Sequence, residues 1–406
     1  MKNILVLGGG YQQLYLIELI KKYGHKVYLA DYSDYCPGEK IADHAKKIST
    51  FSVEECLEYA KEINAQRVIT NGTDQPVYTA AKVSEALNLP HPISSKQALY
   101  FTHKSYMKDK LMSAGIPTPN YLVLKDINKL DFDLLRFPFV VKPVDSQGQR
   151  GVHLIQSYEK NYFDDRLKDA LSFSRSKEVI LEEYYAGEEV TANCWVKDGI
   201  SYNIMINERI HFNDNILLGL CQQHIYPSGS VIDKGVEKDI LNIVQRIVHA
   251  FEISNGPLYV QLIVGSEGAK VIEFGYRIGG GFESSFIPKM KAFNILDAYF
   301  NLIVNKNNNF NVADINPRFT HGSINFLLGK PGIIQKTIIP ENMDGKIFLS
   351  QYDEITNIKS AASRIGYFII LANSREEYLE KLKYVDENLH IYDVHGNDLL
   401  YHGIYL

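Results

Sequence analysis

The stretch FPFVVKPVDSQGQRGV, residues 137–152, joins a short apolar run to a loop rich in serine, glutamine and glycine. Lys142 ends the apolar run, and Ser146, Gly148 and Gly151 follow it in the loop. A flexible glycine loop can close over phosphates and offer them backbone N–H groups, while a lysine supplies a compact positive charge. A lone lysine at a strand end is often a surface residue, but these neighbours favour a phosphate-binding loop between two strands.

The segment VILEEYYAGEEV, residues 179–190, reads as a strand, a short linker and a second strand. Such a linker can present backbone donors and acceptors to the edge of an adenine ring. Glu189, at the start of the second strand, can accept hydrogen bonds from ribose hydroxyls. A solvated acidic turn is the alternative interpretation of the same residues.

Two strand-like runs, residues 258–264 and 270–274, are separated by the loop GSEGA. If the residues that flank this loop pair with each other, Gln261 lies directly opposite Glu273, with both side chains on one face of the sheet. Magnesium carried by nucleotide phosphates is usually held by one or two protein oxygen ligands. The pair is therefore a candidate magnesium site.

Arg277 follows shortly after Glu273 and brings a planar fork that suits phosphate or carboxylate oxygens. The glycines 279–281 come next and would let the backbone approach a bound molecule closely. We therefore take Arg277 as a candidate catalytic residue, and also as a substrate contact together with Gly280.

Arg209 and His224 lie in NERIHFNDNILLGLCQQHIYPSG, residues 207–229, between the more informative segments. They are candidates for recognising a substrate carboxylate or for assisting an amine. A surface arginine and a structural histidine are equally compatible with the pattern.

The first hundred residues alternate short apolar runs with helical patterns, which is typical of a parallel sheet with helices on both faces. The strand-like runs are residues 4–7, 27–30 and 67–70. The glycines 8–10 follow the first run, a context in which a glycine turn lets a phosphate approach a helix N-terminus. The candidate substrate contacts in this part of the chain are Gly9, Gly10 and Asp74.

A dinucleotide-binding fold would also need a glycine at position 13 and an acidic residue after the second strand. Asp31 meets the second condition, but position 13 is Gln13. A dehydrogenase that uses a nicotinamide or flavin cofactor therefore stays only an alternative. Tight strand-to-helix packing, or contact with the substrate of another domain, are other roles for the glycine turn.

After Pro117 and Pro119 the pattern changes to a mixed α+β domain, with a helix predicted over residues 238–251 from its apolar face. Capping boxes start two other helices, one at Ser52 with Glu55 and one at Ser374 with Glu377. The predicted strands of these later domains are residues 138–142, 151–155, 178–183, 189–196, 200–206 and 365–371.

The composition is that of a globular protein. The chain has 406 residues, enough for two or three packed domains, with 45% hydrophobic and 22% charged residues. A net charge of -5 without basic tracts argues against nucleic acid and anionic membranes as partners, and no apolar run is long enough to span a bilayer. Four scattered cysteines without a CxxC pair argue against a cysteine zinc site and against a disulfide framework. The absence of a leader-like N-terminus predicts a cytoplasmic protein.

Together these motifs resemble the ordered motif series of the ATP-grasp superfamily. The resemblance covers nearly the whole chain and is closest to the branch around the carbamoyl-phosphate synthase large subunit and the L-amino-acid ligases. It implies an N-terminal parallel-sheet α/β domain (the pre-ATP-grasp domain, residues 1–103), a two-lobed ATP-grasp domain (104–310) and a small C-terminal α/β cap (311–406). The motifs that carry it are HKSYMKDKLMSAGIPTP, FVVKP, EEYYAGEEV, YVQLIV and VIEFGYRIGGG.

The resemblance also implies roles for individual residues. Lys104 and Lys142 would contact ATP phosphates, with Ser146, Gly148 and Gly151 in the loop above them. Gln261 and Glu273 would hold Mg²⁺, with Mn²⁺ as an alternative ion, and Arg277 would hold the activated carboxylate or phosphoryl group. The implied adenine hinge is Glu182, Glu183, Tyr184 and Tyr185, followed by Glu189 at the ribose.

One position departs from the family pattern. Many members carry an asparagine two residues after the metal glutamate, and this chain has Gly275 there, as L-amino-acid ligases have a small residue. The resemblance therefore implies an ATP-dependent ligase that joins a small carboxylic acid to an amine, with amino acids as the expected substrates and a homodimer as a common state of relatives. An ATP-dependent carboxylase and a non-catalytic nucleotide-binding protein stay open as alternatives.

Overall fold

A computed structural model describes residues 1–125, 136–212 and 218–405 of the chain. Part of the 207–229 segment quoted above, residues 213–217, lies outside these ranges. Within them, the chain forms a small parallel sheet, a four-stranded antiparallel sheet, a large eight-stranded sheet and two short two-stranded sheets. The predicted fold class, α/β followed by α+β, is confirmed.

The N-terminal segment is built on a parallel sheet of order β3-β2-β1-β4. The strand β1 is apolar and buried along nearly its whole length, as expected for a parallel strand covered on both faces. The elements are β1 Asn3–Leu7, α1 Leu14–Lys22, β2 Lys26–Asp31, β3 His44–Lys47, α2 Val53–Glu62, β4 Arg67–Ile69, α3 Gln75–Ala86 and α4 Ser95–Thr102.

The first lobe of the following domain is an antiparallel sheet of order β5-β8-β6-β7. Phe163, Leu167 and Ala170 on one face of α6 are buried in the core of this lobe. The elements are α5 Lys104–Ser113, β5 Tyr121–Leu124, β6 Phe139–Pro143, β7 His153–Ile155, α6 Lys160–Phe173 and β8 Val179–Glu183.

The second lobe is part of an antiparallel sheet of order β13-β12-β9-β10-β11-β14-β19-β17. The helix α8 packs its predicted apolar face into the main core. The elements are β9 Gly187–Lys197, β10 Ile200–His211, β11 Cys221–Tyr226, α7 Gly229–Lys234, α8 Glu237–Ala250, β12 Gly256–Gly265, β13 Gly268–Gly275, α9 Glu283–Met290 and α10 Ile295–Phe300.

The C-terminal segment continues the large sheet, because β14 pairs with β11 of the second lobe. The sheet therefore runs through the predicted boundary at residue 310, and the cap and the second lobe share one sheet. The elements are β14 His321–Leu327, β15 Gly332–Ile333, β16 Lys336–Ile338, β17 Asp344–Ile347, β18 Glu354–Ile355, β19 Gly366–Ala372, α11 Arg375–Asn388 and β20 His390–Tyr392.

The predicted strands and helices lie within two residues of the observed ones except the strand predicted at 200–206, which extends to His211. Neither predicted capping box is complete, since the backbone N–H of Ser52 donates to Ser49 and not to Glu55. Ser52 and Ser374 both accept a hydrogen bond from the backbone N–H three residues later, as predicted. Glu377, however, accepts from the backbone of Asn373 instead of from Ser374. The helix start was correctly predicted because the serine half of the box is enough to cap it.

The hairpin of β12 and β13 corrects the predicted register. Val264 pairs with Ala269, not with Lys270, because the turn is shorter than the predicted loop. A β-bulge at Ile272 then shifts the pairing by one residue, so Gln261 still lies opposite Glu273. The prediction for these two residues is therefore confirmed, although the register from which it was derived is wrong.

Candidate active site

A cleft between the two lobes, which we call the inter-lobe cavity, has a volume of about 240 Å³. It brings together all the predicted nucleotide-binding side chains except Gly151. The lining residues used below are Lys104, Lys142, Ser146, Gly148, Glu182, Glu183, Tyr184, Tyr185, Glu189, Gln261 and Glu273.

Lys142, at the end of β6, is buried and forms an ion pair with Glu182 of β8 at 3.1 Å. Lys108 on α5 pairs with the same carboxylate at 2.6 Å and is fully buried. Burial would raise the pKa of Glu182, but the two lysines outweigh it and the pKa lies below its ordinary value. The carboxylate of Glu182 is therefore held between two buried lysines, Lys108 and Lys142.

Lys108 was not predicted from the sequence. It also donates hydrogen bonds to Thr118 Oγ1 at 2.6 Å and to the backbone oxygen of Val271 at 3.2 Å. Burial lowers the pKa of Lys108 to about 8, with Glu182 opposing that shift. Its residue type and spacing do not distinguish it from the neighbouring lysines of α5. Only the packing of α5 against both lobes makes it a core residue.

The glycine loop, residues 146–151, connects to three parts of the molecule. Lys104 donates to the backbone oxygen of Ser146 at 2.9 Å, and Gln147 accepts from the backbone N–H of Asp74 at 2.9 Å. Gly148 and Gly151 both have φ of +68°, and a Cβ on Gly151 would lie 3.0 Å from the backbone of Ala170. These positive φ values explain why the loop needs glycine.

The hinge at the end of β8 has few free backbone donors. The N–H groups of Glu183 and Tyr184 donate to Asn120 and Pro138 within the first lobe. Among the described hinge residues, this leaves the N–H of Tyr185 to face an adenine edge. The Tyr185 hydroxyl is itself anchored on the backbone oxygen of Gly268 at 2.9 Å, which fixes the hinge between the lobes.

Glu189, the predicted ribose contact, is paired with two cations. Its carboxylate lies 2.6 Å from Arg209 Nε and 2.8 Å from His211 Nε2. Burial would raise the pKa of Glu189, but these partners lower it to about 2. Glu189 lines the inter-lobe cavity. Its carboxylate is held by Arg209 and His211, and its contact with a ribose stays a prediction. His211 was missed, since its partner lies on a neighbouring strand.

Glu273 and Gln261 face the cavity side by side. Glu273 also lies 3.4 Å from Lys104. The Gln261 amide, oriented to satisfy both neighbours, donates to Glu273 at 2.6 Å and accepts from Arg209 at 3.1 Å. One carboxylate and one amide oxygen fit the few protein ligands that a nucleotide-borne Mg²⁺ takes. The amide oxygen would have to turn away from Arg209 to serve as a ligand.

A second cavity of about 370 Å³ adjoins the first and lies between the N-terminal glycine turn and the large sheet. We call it the arginine cavity. The lining residues used below are Gly10, Asp31, Asp74, Gln147, Gly148, Gln149, Arg150, Arg209, His224, Gln261, Glu273, Arg277, Gly280 and Arg364. All the predicted substrate contacts line the arginine cavity except Gly9. A Cβ on Gly9 would point at the side chains of Leu29 and Cys36.

Gln13 fills the place where a dinucleotide fingerprint would have glycine. It is 2% exposed, and its side chain packs beside Gly8. Asp31, the other expected element, accepts from the backbone N–H groups of Gly9 at 2.7 Å and Ser33 at 2.8 Å. The turn is therefore closed by protein groups, which gives the dehydrogenase alternative no support.

Arg277 forms a bidentate ion pair with Asp74 of the N-terminal segment. Nε lies 2.5 Å from Oδ1, and Nη2 lies 3.0 Å from Oδ2. Burial would lower the pKa of Arg277, but Asp74 outweighs it and raises the pKa above its ordinary value. Two residues predicted separately as site residues thus form one unit that joins two domains.

Gly275 is explained by the same ion pair. A Cβ at this position would lie 2.8 Å from Asp74 Oδ1 and 3.3 Å from Arg277 Cγ. The space that other family members fill with asparagine is therefore occupied here by the Asp74 carboxylate.

The Gly275→Asn substitution is expected to lower the free energy of unfolding by about 1–3 kcal/mol, the usual cost of overpacking, and to separate Asp74 from Arg277. Urea denaturation measures the loss. Gly229→Asn is the matched control, since Gly229 is exposed, does not need a positive φ, and a Cβ there would meet only Glu208 Oε2 at 3.8 Å. Unchanged stability in the Gly275→Asn protein would contradict this explanation.

His224 on β11 pairs with Glu283 at 3.2 Å, and the two side chains are 2% and 1% exposed. His224 Nε2 also lies 3.3 Å from Arg209. Burial would lower the pKa of His224, but Cys221 and Glu283 outweigh it and raise the pKa to about 9. His224 is therefore part of a buried charge network at the arginine cavity.

This network predicts a pH dependence of stability. Because the folded pKa of His224 lies above its unfolded value of about 6.5, its contribution is fully present below that value and is lost as the pH rises through about 9. Urea denaturation of wild type and of Glu283→Gln at pH 6 to 10 measures it. We expect the difference in unfolding free energy to shrink with rising pH, whereas a constant difference would contradict the assignment.

Arg364, just before β19, is a further cavity residue that was not predicted. Nη2 donates to the backbone oxygen of Cys221 at 2.7 Å, and the guanidinium lies 3.6 Å from the ring centre of Phe326. Unlike Arg209 and Arg277, it pairs with no acidic side chain in the described parts of the chain, and its Nε has no hydrogen-bond partner there. Burial lowers its pKa to about 10.

Comparison with known proteins gives one family match. Residues 102–281 match the model of the phosphoribosylglycinamide synthetase ATP-grasp (A) domain. The L-arginine-specific L-amino acid ligase of Bacillus subtilis is 24% identical over 257 residues, which is 61% of this chain and 60% of that one. The chain thus spans about three-fifths of the length of this relative.

Two crystal structures resemble the whole fold. The L-amino acid ligase of Bacillus licheniformis has a TM-score of 0.76 at 18% identity, covering 97% of this chain and 99% of that one. The biotin carboxylase domain of the Hydrogenobacter thermophilus 2-oxoglutarate carboxylase, in complex with MgADP, ADP and bicarbonate, has a TM-score of 0.78 at 17% identity and covers 99% and 92%. None of the helices in the described ranges is long and apolar enough to cross a bilayer.

Proposed function

The chain belongs to the ATP-grasp superfamily, and from this premise we propose that it is an ATP-dependent ligase that joins a carboxylate to an amine through an acyl phosphate. The observation that carries the proposal is the junction of the two cavities. They share Gln261, Glu273 and residues 147–150 of the glycine loop. The end of a phosphate chain in the first cavity would therefore face an anion held in the second.

Each part of ATP would have a partner in the inter-lobe cavity. The backbone of Tyr185 would meet the adenine edge. Lys142 and Lys104, the two lysines among the described residues of the lining, would meet the phosphates. Gln261 and Glu273 would hold Mg²⁺. When bound, this ion would neutralise part of the negative charge of the phosphates.

The reaction has two steps. A carboxylate oxygen of the substrate attacks the γ-phosphorus in line, the bond to the β-phosphate oxygen breaks, and ADP leaves. An amine then attacks the acyl carbon, gives up a proton, and expels phosphate to form an amide or peptide bond. Lys142 and Arg277 neutralise the charge on the transferring oxygens. Closure of the glycine loop would keep water from the acyl phosphate.

Amino acids are the proposed substrates. The name of the Bacillus subtilis relative supports this class, and so does the charge pattern of the arginine cavity. Arg209 and Arg277 are paired with Glu189 and Asp74. Of the four arginines that line this cavity, Arg364 and the glycine-loop residue Arg150 have no acidic partner among the described residues. A half-buried cation without an acidic partner favours binding an anion, such as a carboxylate that does not react.

The test is ADP release with Mg²⁺ against amino acids singly and in pairs, and against bicarbonate, with mass spectrometry of the products. A product equal in mass to two substrates minus water establishes the ligase and identifies its substrates. ADP release that depends on bicarbonate alone would assign a carboxylase instead. ATP binding without ADP release under every mixture would contradict the proposed activity.

Arg364→Gln is expected to raise the KM of the amino acid whose carboxylate it binds by about 10–100-fold, the range for a lost hydrogen bond to a charged group. The KM of ATP should stay unchanged. Arg318→Gln is the matched control, because Arg318 is exposed and its side chain, among the described residues, bonds to the backbone oxygen of Pro288 and to no acidic group. An unchanged amino acid KM would exclude this role for Arg364.

A further inference from the structure

Three side chains converge near the C-terminus, far along the chain from the cavities described above. His390 Nδ1 lies 2.7 Å from Asp398 Oδ2, and His402 Nε2 lies 3.0 Å from the same oxygen. The three ligand-type atoms all lie within 4.8 Å of one another. The cysteine pattern could not indicate this cluster, since it contains no cysteine.

The contacts of His402 place two acceptor atoms opposite each other. Its Nδ1 lies 2.7 Å from the backbone oxygen of Asp386, which can only accept, so Nδ1 is the donor of that bond. Its Nε2 lies 3.0 Å from Oδ2 of Asp398. These two atoms are in favourable contact only when a proton or a metal ion lies between them.

The surroundings orient the three groups in the way that metal sites are supported. The other oxygen of Asp398, Oδ1, accepts from the backbone N–H groups of Leu400 at 3.0 Å and Ile391 at 3.4 Å, which turns Oδ2 toward the histidines. A histidine ligand that donates its other N–H to a backbone carbonyl, as His402 does, has its tautomer and ring orientation fixed.

We propose that His390, Asp398 and His402 bind one divalent transition-metal ion, with Zn²⁺ as the preferred species. Two imidazoles and one carboxylate suit zinc. Bonds of about 2.0–2.2 Å in tetrahedral geometry put ligand atoms about 3.3–3.5 Å apart, so the histidine nitrogens, now 2.7 and 3.0 Å from Asp398 Oδ2, would move outward by about half an ångström to admit the ion. The histidine side chains are partly exposed, at 27% and 33%, so an ion can enter, and water can take a fourth position.

Such an ion would be structural. It would join β20, which carries His390, to the following residues Asp398 and His402. The bond of His402 to Asp386 would connect these residues to the end of α11. The stretch that follows His402 packs back on the large sheet, where Tyr405 donates to the backbone oxygen of Phe326 at 2.7 Å. Phe326 carries the guanidinium of Arg364 on its ring. The ion would thus stabilise the wall of the arginine cavity without touching substrate.

The experiment uses the full chain, stripped with a chelator and titrated with ZnSO₄ by isothermal titration calorimetry at pH 7.5. We expect one zinc per chain and a rise in melting temperature on binding. Asp398→Asn and His402→Gln should each weaken zinc binding by at least about 10–100-fold, the loss that removing even an outer partner causes. His395→Gln is the matched control, an exposed histidine in the adjacent turn, and should bind zinc like wild type.

Two outcomes would overturn the proposal. The first is no zinc binding by the wild-type chain, which would leave a proton between His402 and Asp398. The second is equal zinc binding by Asp398→Asn, His402→Gln and wild type, which would place the ion elsewhere. Circular dichroism checks that each variant is folded, and neither outcome depends on ligase activity.

Discussion

Replacing Arg277 with alanine is expected to reduce Mg²⁺-dependent ADP release by about 10³-fold or more, the range observed when an arginine that stabilises a phosphoryl transition state is lost. The guanidinium is buried in the wall of the arginine cavity, which adjoins the inter-lobe cavity, and its charge is weakly screened by water there. Steady-state ADP release with the substrate pair found in the panel measures the loss.

Three variants separate charge from position. Arg277→Lys keeps the charge but cannot make the bidentate contact, so we expect an intermediate loss. Asp74→Asn leaves Arg277 in place with a weaker partner and should lower activity less than Arg277→Ala. Arg246→Ala removes an exposed arginine that bonds only to the backbone of Ala114 and Gly115, and should keep full activity. Wild-type turnover by Arg277→Ala would exclude the proposed mechanism.

Replacing Lys108 with methionine is expected to lower the free energy of unfolding by about 3–5 kcal/mol, the cost of removing one partner from a buried ion pair. Lys108 is fully buried, lies 2.6 Å from Glu182 and makes two further hydrogen bonds to Thr118 and Val271. Methionine keeps most of the volume, so the loss reports the missing charge and hydrogen bonds. Urea denaturation with circular dichroism measures it.

Lys142→Met is the matched comparison, because Lys142 pairs with the same carboxylate at 3.1 Å but points into the inter-lobe cavity. Its removal leaves Glu182 the shorter pair with Lys108 at 2.6 Å, whereas removing Lys108 leaves it only the pair with Lys142 at 3.1 Å and also breaks the bonds to Thr118 and Val271. We therefore expect Lys142→Met to be the more stable of the two variants and to lose ADP release by about 10²–10³-fold, since a charge aimed at the reacting phosphate is missing. The reverse order of stabilities would contradict this division of roles.

The sequence by itself determined the parts of this protein whose signal is local. Alternating apolar runs predicted the strands, and the residues after Lys142 predicted a glycine loop between two strands, where Gly148 and Gly151 adopt positive φ. The facing of Gln261 and Glu273 was also predicted, although from a register that is off by one residue and that the bulge at Ile272 compensates. These features depend on neighbours close in the chain, so spacing and residue type are enough to read them.

Only the tertiary structure decided which polar groups neutralise one another. Asp74 and Arg277 are 203 residues apart, and Lys108 resembles Lys104 and Lys110 of the same helix until α5 is packed against both lobes. Arg364 became a candidate substrate contact because Arg209 and Arg277 of its cavity have carboxylate partners, whereas Arg364, like Arg150 of the glycine loop, has none among the described residues. Burial and pairing of charge depend on which distant elements meet in the folded chain, and no local pattern of residues records that.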